Sequence, residues 1–362
     1  MTRFDLMIVG GGPAGSAAAL QIATRDPQLA TRTLLIDKAV FPRDKLCGGG
    51  VIRQADRYLS YLGVRIDVPS VAIHTLRFEY EGGRSLHHER NAFRVVRRDE
   101  FDHALLAAVK ARGVTVREGE SVRSLARHDD GVHVVTTGGE YDARIVIGAD
   151  GANSVVRRLL VPNAGKSQRF VALEVFTPRT AGESTPDLAA TAVFDFRPAA
   201  HGLQGYYWDF PSLHAGEPRM NRGVGGRSWP THTSLRRVLD DELRQRGQRP
   251  TNGDLRGATI PIYDPRLPQG AANVLLAGDA VGVDPWLGEG ISIAIGTGLV
   301  AGHAVIEALG RGGLDFGQHH RRIARSAVGT TLRRNRITAR GFYRASNQAG
   351  ALGAWIGGQT TA

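Results

Sequence analysis

The sequence predicts an α/β fold: a Rossmann-like dinucleotide-binding domain, an inserted mixed or antiparallel β-sheet domain, and a short helical C-terminal tail. Three observations predict it. A short apolar strand at residues 4–9 runs straight into glycines and an alanine-rich helix. A second buried strand, residues 273–277, ends in Gly278-Asp279 far along the chain. Between them, residues 167–227 break into short β-rich segments separated by Pro and Gly.

The first element carries the strongest signal. Gly10, Gly12 and Gly15 have the G-x-G-x-x-G spacing, with Pro13 and Ala14 opening the helix. Gly10 permits the tight turn, Gly12 admits a pyrophosphate to the backbone N–H groups, and Gly15 lets the helix close on the strand. The helix start then offers unpaired N–H groups and a positive dipole end to the phosphates. After a loop over residues 25–32 with Pro27 as breaker, residues 33–38 form a strand ending in Asp37 and Lys38. Asp37 follows Gly15 at about the spacing of a carboxylate that holds ribose hydroxyls.

Cys47-Gly48-Gly49-Gly50 suits backbone pressed against a flat ligand, since three glycines make a poor helix or strand interior. A helix is expected over 51–62, a hairpin over 71–80 and 84–96, and a helix over 101–110. Strands follow at 114–118, within 121–137, and at 140–149, the last ending in Asp150-Gly151, with a helix from Val155. The second lobe has β-rich runs at 170–176, 190–196, 205–210 and 223–226, then an amphipathic helix over 234–246. A long apolar helix runs from Ile291 to about residue 309, and the basic tail, 315–346, reads as helical.

Composition bounds the function. A chain of 362 residues, 42% hydrophobic and 22% charged, is an ordinary globular protein large enough for two or three lobes. No apolar run reaches the about 18 residues of a membrane span, and no signal peptide precedes the first strand, so the expected location is cytoplasmic. Cys47 is the single cysteine, which rules out an intrachain disulfide and a cysteine-based zinc site. No metal cluster or Ser-His-Asp set suggests itself, and the pairs His87-His88 and His319-His320 read as solvated surface. The net charge of +11 comes almost wholly from arginine, Lys38, Lys45, Lys110 and Lys166 being the only lysines. No nucleic-acid motif accompanies it, so nucleic acid is not an expected partner. Arg333, Arg336, Arg340 and Arg344 form a helical basic stripe, a solvated face that also suits peripheral contact with an anionic membrane.

Four separated signals occur in a fixed order. They are the Gly10/Gly12/Gly15 turn, Arg98 to Asp102 (R-x-x-F-D), Gly148-Ala149-Asp150-Gly151, and Gly278-Asp279-Ala280 with Pro285 and Gly288-Glu289-Gly290. Together they resemble the FAD-dependent hydroxylase superfamily over about residues 1–310. Two further pieces, Pro42-Arg43-x-Lys45-x-Cys47-Gly48-Gly49 and Tyr206-x-Trp208-x-Phe210-Pro211, are similar to segments of geranylgeranyl reductases and their relatives. The tail after residue 310 is short for that family, which leaves room for a smaller substrate.

The resemblance implies FAD, held in a discontinuous domain of residues 1–75, 95–165 and 265–312. Residues 76–94 and 166–264 would form the substrate domain, and 313–362 the tail. It implies Arg98 near the FAD pyrophosphate, Val122 near the adenine, and Asp150 in the segment that helps bind FAD and NAD(P)H. Asp279 is placed for ribityl or ribose hydroxyls, and Gly288, Gly290 and Ile291 bring helix-start N–H groups to the pyrimidine end of the flavin. Lys45, Cys47 and Gly48 belong beside the isoalloxazine. On a strand Tyr206, Trp208 and Phe210 share one face, either as core or as the wall, with Trp286, of an apolar channel.

The implied reaction is hydride transfer from reduced FAD to a carbon–carbon double bond of an isoprenoid or other apolar small molecule. NAD(P)H or an electron-donor protein would be the reductant. Cys47 is either a proton-delivering group or a small buried hydrophobe; Tyr206 and Trp208 are the other catalytic candidates. Two alternatives use the same FAD lobe. One is a monooxygenase or halogenase acting on an aromatic or polyketide-like substrate; the other is a flavoprotein using FAD structurally in a non-redox cyclisation.

Overall fold

Two eight-stranded sheets divide the chain, and each draws strands from separate stretches of sequence. The computed structural model describes residues 2–161, 167–227, 234–248 and 255–345. Its first half runs β1 (Thr2–Val9), α1 (Pro13–Arg25), α2 (Pro27–Thr31), β2 (Thr33–Asp37), β3 (Gly50–Ile52), α3 (Arg53–Tyr61), β4 (Ser70–Tyr80), β5 (Gly83–Val96), α4 (Arg98–Ala111), β6 (Thr115–Glu118), β7 (Val122–His128), β8 (Gly131–Thr136), β9 (Glu140–Gly148) and α5 (Val155–Leu160). The second half runs β10 (Arg169–Pro178), α6 (Pro186–Ala189), β11 (Thr191–Asp195), α7 (Arg197–Ala200), β12 (Gly205–His214), β13 (Glu217–Arg227), α8 (Leu235–Gln245), β14 (Arg256–Pro261), β15 (Gly270–Ala271), β16 (Val274–Leu276), α9 (Ile291–Arg311), α10 (His319–Arg325) and α11 (Ala327–Ala345).

The first sheet has a parallel centre in the order β16-β9-β1-β2-β6. Its strands read as continuous apolar runs because both faces are covered, one by α1, α4 and α9 and the other by α5 and the β7–β8 hairpin. The hairpin β7–β8 adds antiparallel to the first half of β9. Leu6, Ile8, Leu35, Ile145 and Ile147 face the core under α1 and α9, and all are fully buried. Those two helices meet through small residues: a Cβ added at Gly302 would stand 2.9 Å from the Ala18 carbonyl oxygen.

The second sheet has the order β14-β10-β13-β12-β11-β4-β5-β3. All its pairings are antiparallel except β11 with β4, so the expected mixed sheet is present. It reaches further back than the division above, taking in β3 and the start of β4.

Several local expectations are corrected. The loop expected over 25–32 contains α2, started by Pro27 and capped by the Asp26 side chain, which accepts from Leu29 N at 2.9 Å. Residues 51–52 are strand rather than helix, because β3 finds a distant partner in Phe93–Val95 of β5. The tail is helical as expected, its helix interrupted at Ser326, whose Oγ accepts from Gly329 N at 3.2 Å. Its end, residues 346–362, lies outside the described residues. Helix α9 is long and apolar enough to cross a membrane, contrary to the expectation that no stretch is; 72% of its apolar window is buried in this fold. His319 is not on the surface: it is fully buried beside Leu276 O (3.1 Å), and burial pushes its pKa down to about 4.

Candidate active site

The glycine turn closes as its spacing requires. Gly10 has φ +109°, and a Cβ there would overlap the carbonyl oxygen of Ala149 on the neighbouring strand. A Cβ on Gly15 would overlap the carbonyl oxygen of Gly10. Asp37 turns back onto this turn: its Oδ2 accepts from Gly11 N at 2.7 Å and its Oδ1 from Ala39 N at 2.8 Å.

These elements line a cavity of about 380 Å³. Gly10, Gly12, Pro13 and Ala14 line it together with Asp37 and Lys38, and Val122 joins them. Asp150 lines it as well, beside Gly10. Its Oδ2 accepts from Val155 N (2.6 Å) and Val156 N (3.2 Å), while its buried Oδ1 has no hydrogen-bond partner. Burial raises this carboxyl above its usual range. A buried acceptor left over beside a glycine turn suits a hydroxyl-rich ligand.

Pro13, Lys45, Asp279 and Ala294 line both this cavity and a second one of about 400 Å³, so the two join as one elongated cleft. At the join, Lys45 Nζ donates to Asp279 Oδ2 at 2.7 Å. Burial would raise the Asp279 carboxyl, but Lys45, helped by Arg98 and Arg43, holds it below its usual value. That stabilisation exists above the unfolded carboxyl pKa of about 4 and is lost as pH falls through the lower folded value. Lys45→Met is therefore expected to cost about 1–2 kcal/mol at neutral pH. In paired thermal melts the gap from wild type should close as the pH is taken below about 4; an equal gap at every pH contradicts the pairing.

Arg98 reaches the glycine turn only through Asp102, whose Oδ2 it shares with Arg43. It lines the second cavity, buried, with two bonds to Asp102 one helical turn on (2.8 and 2.7 Å) and the Cys47 sulfur as neighbour. Arg43 takes the position beside the turn: its guanidinium nitrogen is 3.3 Å from where a Gly12 Cβ would be, and it also pairs with Asp102 at 3.0 Å. The sequence reading gave Arg43 no cofactor role.

The second cavity is apolar. Gly288, Glu289, Gly290 and Ile291 give the start of α9 on one side, and the loop at Cys47 and Gly48 stands opposite. Tyr206, Trp208 and Phe210 cover it from β12, joined by Phe194 and Phe93. The rings interlock, with Phe194–Phe210 centroids 5.1 Å apart and Tyr206–Trp208 5.9 Å. Tyr206 donates its hydroxyl to Leu287 O at 2.7 Å, and burial keeps that proton in place. Trp286 lines the same space. On the opposite strand Gly223 pairs with Trp208 and leaves room for its ring.

Around Cys47 the structure assembles residues the sequence reading missed. Glu174 Oε1 accepts from Cys47 N at 3.2 Å. Asn221 Nδ2 donates to Cys47 O (3.1 Å) and Glu174 Oε2 (3.4 Å), and its Oδ1 accepts from Trp208 Nε1 at 2.7 Å. Burial pushes Glu174 up to about 7, against the two donors it receives. Glu289 is likewise pushed to about 7 by burial, although Ser292 donates to it through N (2.7 Å) and Oγ (2.6 Å). The available signal for Glu174 was a lone acid at an inward position of the apolar run Arg169–Pro178. In the tail stripe Arg336 turns inward to Asp264 (3.6 Å), while Arg333, Arg340 and Arg344 are exposed.

The chain matches the FAD binding domain family over residues 3–177. It is 30% identical over 330 residues to digeranylgeranylglycerophospholipid reductase 1 of Methanopyrus kandleri, covering 85% of this chain and 81% of that one. It is 32% identical over 322 residues to the menaquinone reductase of Mycobacterium tuberculosis, covering 82% and 75%. A geranylgeranyl bacteriochlorophyll reductase-like protein of Thermoplasma acidophilum shares the fold, with a TM-score of 0.78 at 20% identity and 98% and 96% coverage. The chain belongs to the geranylgeranyl reductase family of FAD-dependent oxidoreductases.

Proposed function

We propose that this protein reduces carbon–carbon double bonds of an isoprenoid or similarly apolar molecule. The observation that carries the reading is the aromatic face of β12 over an apolar cavity continuous with the dinucleotide cleft. The relatives' names point the same way, since geranylgeranyl groups carry isolated double bonds. Reduced FAD, when bound, supplies the hydride equivalent. The Gly10–Gly15 turn with Arg43 would hold its diphosphate, and Asp37 and Asp279 its hydroxyls. Tyr206, Trp208 and Phe210 would exclude water and press the double bond against the flavin. A proton must reach the second carbon, and Cys47 is the protic side chain on the loop opposite the start of α9. A cavity of about 400 Å³ shared with a flavin ring takes a few isoprene units at a time, at the small end of ligand sites.

The reading is tested by incubating the dithionite-reduced protein anaerobically with geranylgeranyl diphosphate and weighing the product. Gain of two hydrogens per double bond supports it; substrate unchanged without oxygen but converted to an oxygenated product when air is admitted favours the monooxygenase alternative. NAD(P)H and a reduced ferredoxin-type protein are the two reductants to compare in the same assay. An apolar substrate and the exposed Arg333, Arg340 and Arg344 also fit work at an anionic membrane surface. Flotation with phosphatidylglycerol vesicles that is lost in high salt is the expected result, and no flotation at low salt counts against it.

A further inference from the structure

We propose that Glu174 is a proton-operated latch: ionised, it fixes the Cys47 loop and the Trp208 ring against the cavity, and protonated, it lets them go. The hydrogen-bond directions leave no other reading of the cluster. An indole N–H only donates and a backbone carbonyl only accepts. Asn221 must therefore turn its oxygen to Trp208 Nε1 and its amide nitrogen to Cys47 O, so its orientation is fixed by its neighbours. The same amide nitrogen, and the Cys47 backbone N–H, then both donate to Glu174, one to each carboxylate oxygen. Glu174 is 1% exposed and both its oxygens face donors, so a carboxyl proton would oppose one of them. Protonation breaks a link of the chain that joins β10, the Cys47 loop, β13 and the Trp208 ring. Cys47 and Trp208 are two of the three candidate catalytic groups lining the cavity, with Tyr206 the third, and Glu174 lines neither cavity. It is a positioning residue.

The charged groups around Glu174 come from three elements. Arg97 and Arg98 at the start of α4 favour its ionised form, against the burial that disfavours it. Arg256, its cross-strand neighbour on β14, is engaged by Asp44 of the Cys47-bearing loop. The balance puts the titration near neutral pH, where the latch would operate.

This inference rests on the cavity being the substrate site, but its test needs no substrate, so its failure and that of the proposed reduction are separable. Amide exchange is measured on the FAD-loaded protein at a series of pH values, corrected for intrinsic exchange, in the peptide spanning Cys47. Protection of the Cys47 amide is expected to fall about tenfold as pH drops through the Glu174 titration, the equivalent of one buried hydrogen bond. In Glu174→Gln, whose amide brings a donor where only acceptors fit, protection should be low at every pH. As Cys47 is the single cysteine, its alkylation should be faster in the variant at high pH. Should the variant not fold, the wild-type series decides: corrected protection that does not change with pH overturns the latch.

Discussion

Gly15→Ala is expected to yield a colourless protein that takes up no FAD. The added Cβ would overlap the carbonyl oxygen of Gly10, a backbone atom at the end of β1 that cannot swing aside. It would also come within 3.1 Å of the Ile8 side chain. Helix α1 must then lift from the sheet, and its first N–H groups leave the cleft they line. A displacement of about 1 Å at a binding array costs on the order of a hundredfold. Overpacking adds about 1–3 kcal/mol of destabilisation. Gly310→Ala is the control: nothing lies within 4 Å of a Cβ there, in the last turn of α9. That variant should stay yellow and be slightly stabilised, by up to about 1 kcal/mol. Flavin content by absorbance after desalting reads both.

Gly223→Ala is expected to keep the flavin and lose the substrate reaction. Trp208 lies across Gly223, and a Cβ there would overlap its six-membered ring and stand 2.6 Å from Leu173 O. The ring must tilt out of the β12 face, into the cavity, and give up its bond to Asn221. The diphosphate turn is untouched, so colour remains. Turnover of an apolar substrate should drop about a hundredfold, with a stability loss of about 1–3 kcal/mol. Adding Trp208→Phe removes the overlapping part of the ring. The double variant should recover part of the activity, and a deficit equal to the sum of the two single changes would speak against ring displacement.

The cofactor cleft was legible because its signals are local. A glycine turn needs three glycines at fixed spacing, and Asp37 and Asp279 end buried strands that any reading of periodicity finds. The aromatic face of β12 was legible for the same reason, since alternate residues of a strand share a side. Arg98 and Arg43 show the limit. Arg98 is held by Asp102 through an i,i+4 pair visible in the sequence, yet which arginine stands beside Gly12 depends on how the loop before Lys45 crosses the cleft. Glu174 and Asn221 were illegible as a site because their partner, Cys47, is brought to them from 127 and 174 residues away. β3 escaped because its partner strand lies some forty residues on, and only that pairing makes a glycine-led segment extended. His319 misled because a histidine pair in a basic tail reads as surface, whereas α10 turns one ring inward onto Leu276 O.

The most direct test of the central claim, that an apolar double bond is reduced in the cavity under β12, is anaerobic stopped-flow of the reduced protein against polyprenyl substrates. The account predicts that yellow absorbance returns without oxygen, at a rate that rises with substrate and is suppressed in Gly223→Ala. Absorbance that returns only when oxygen is admitted, whatever prenyl compound is present, would contradict it.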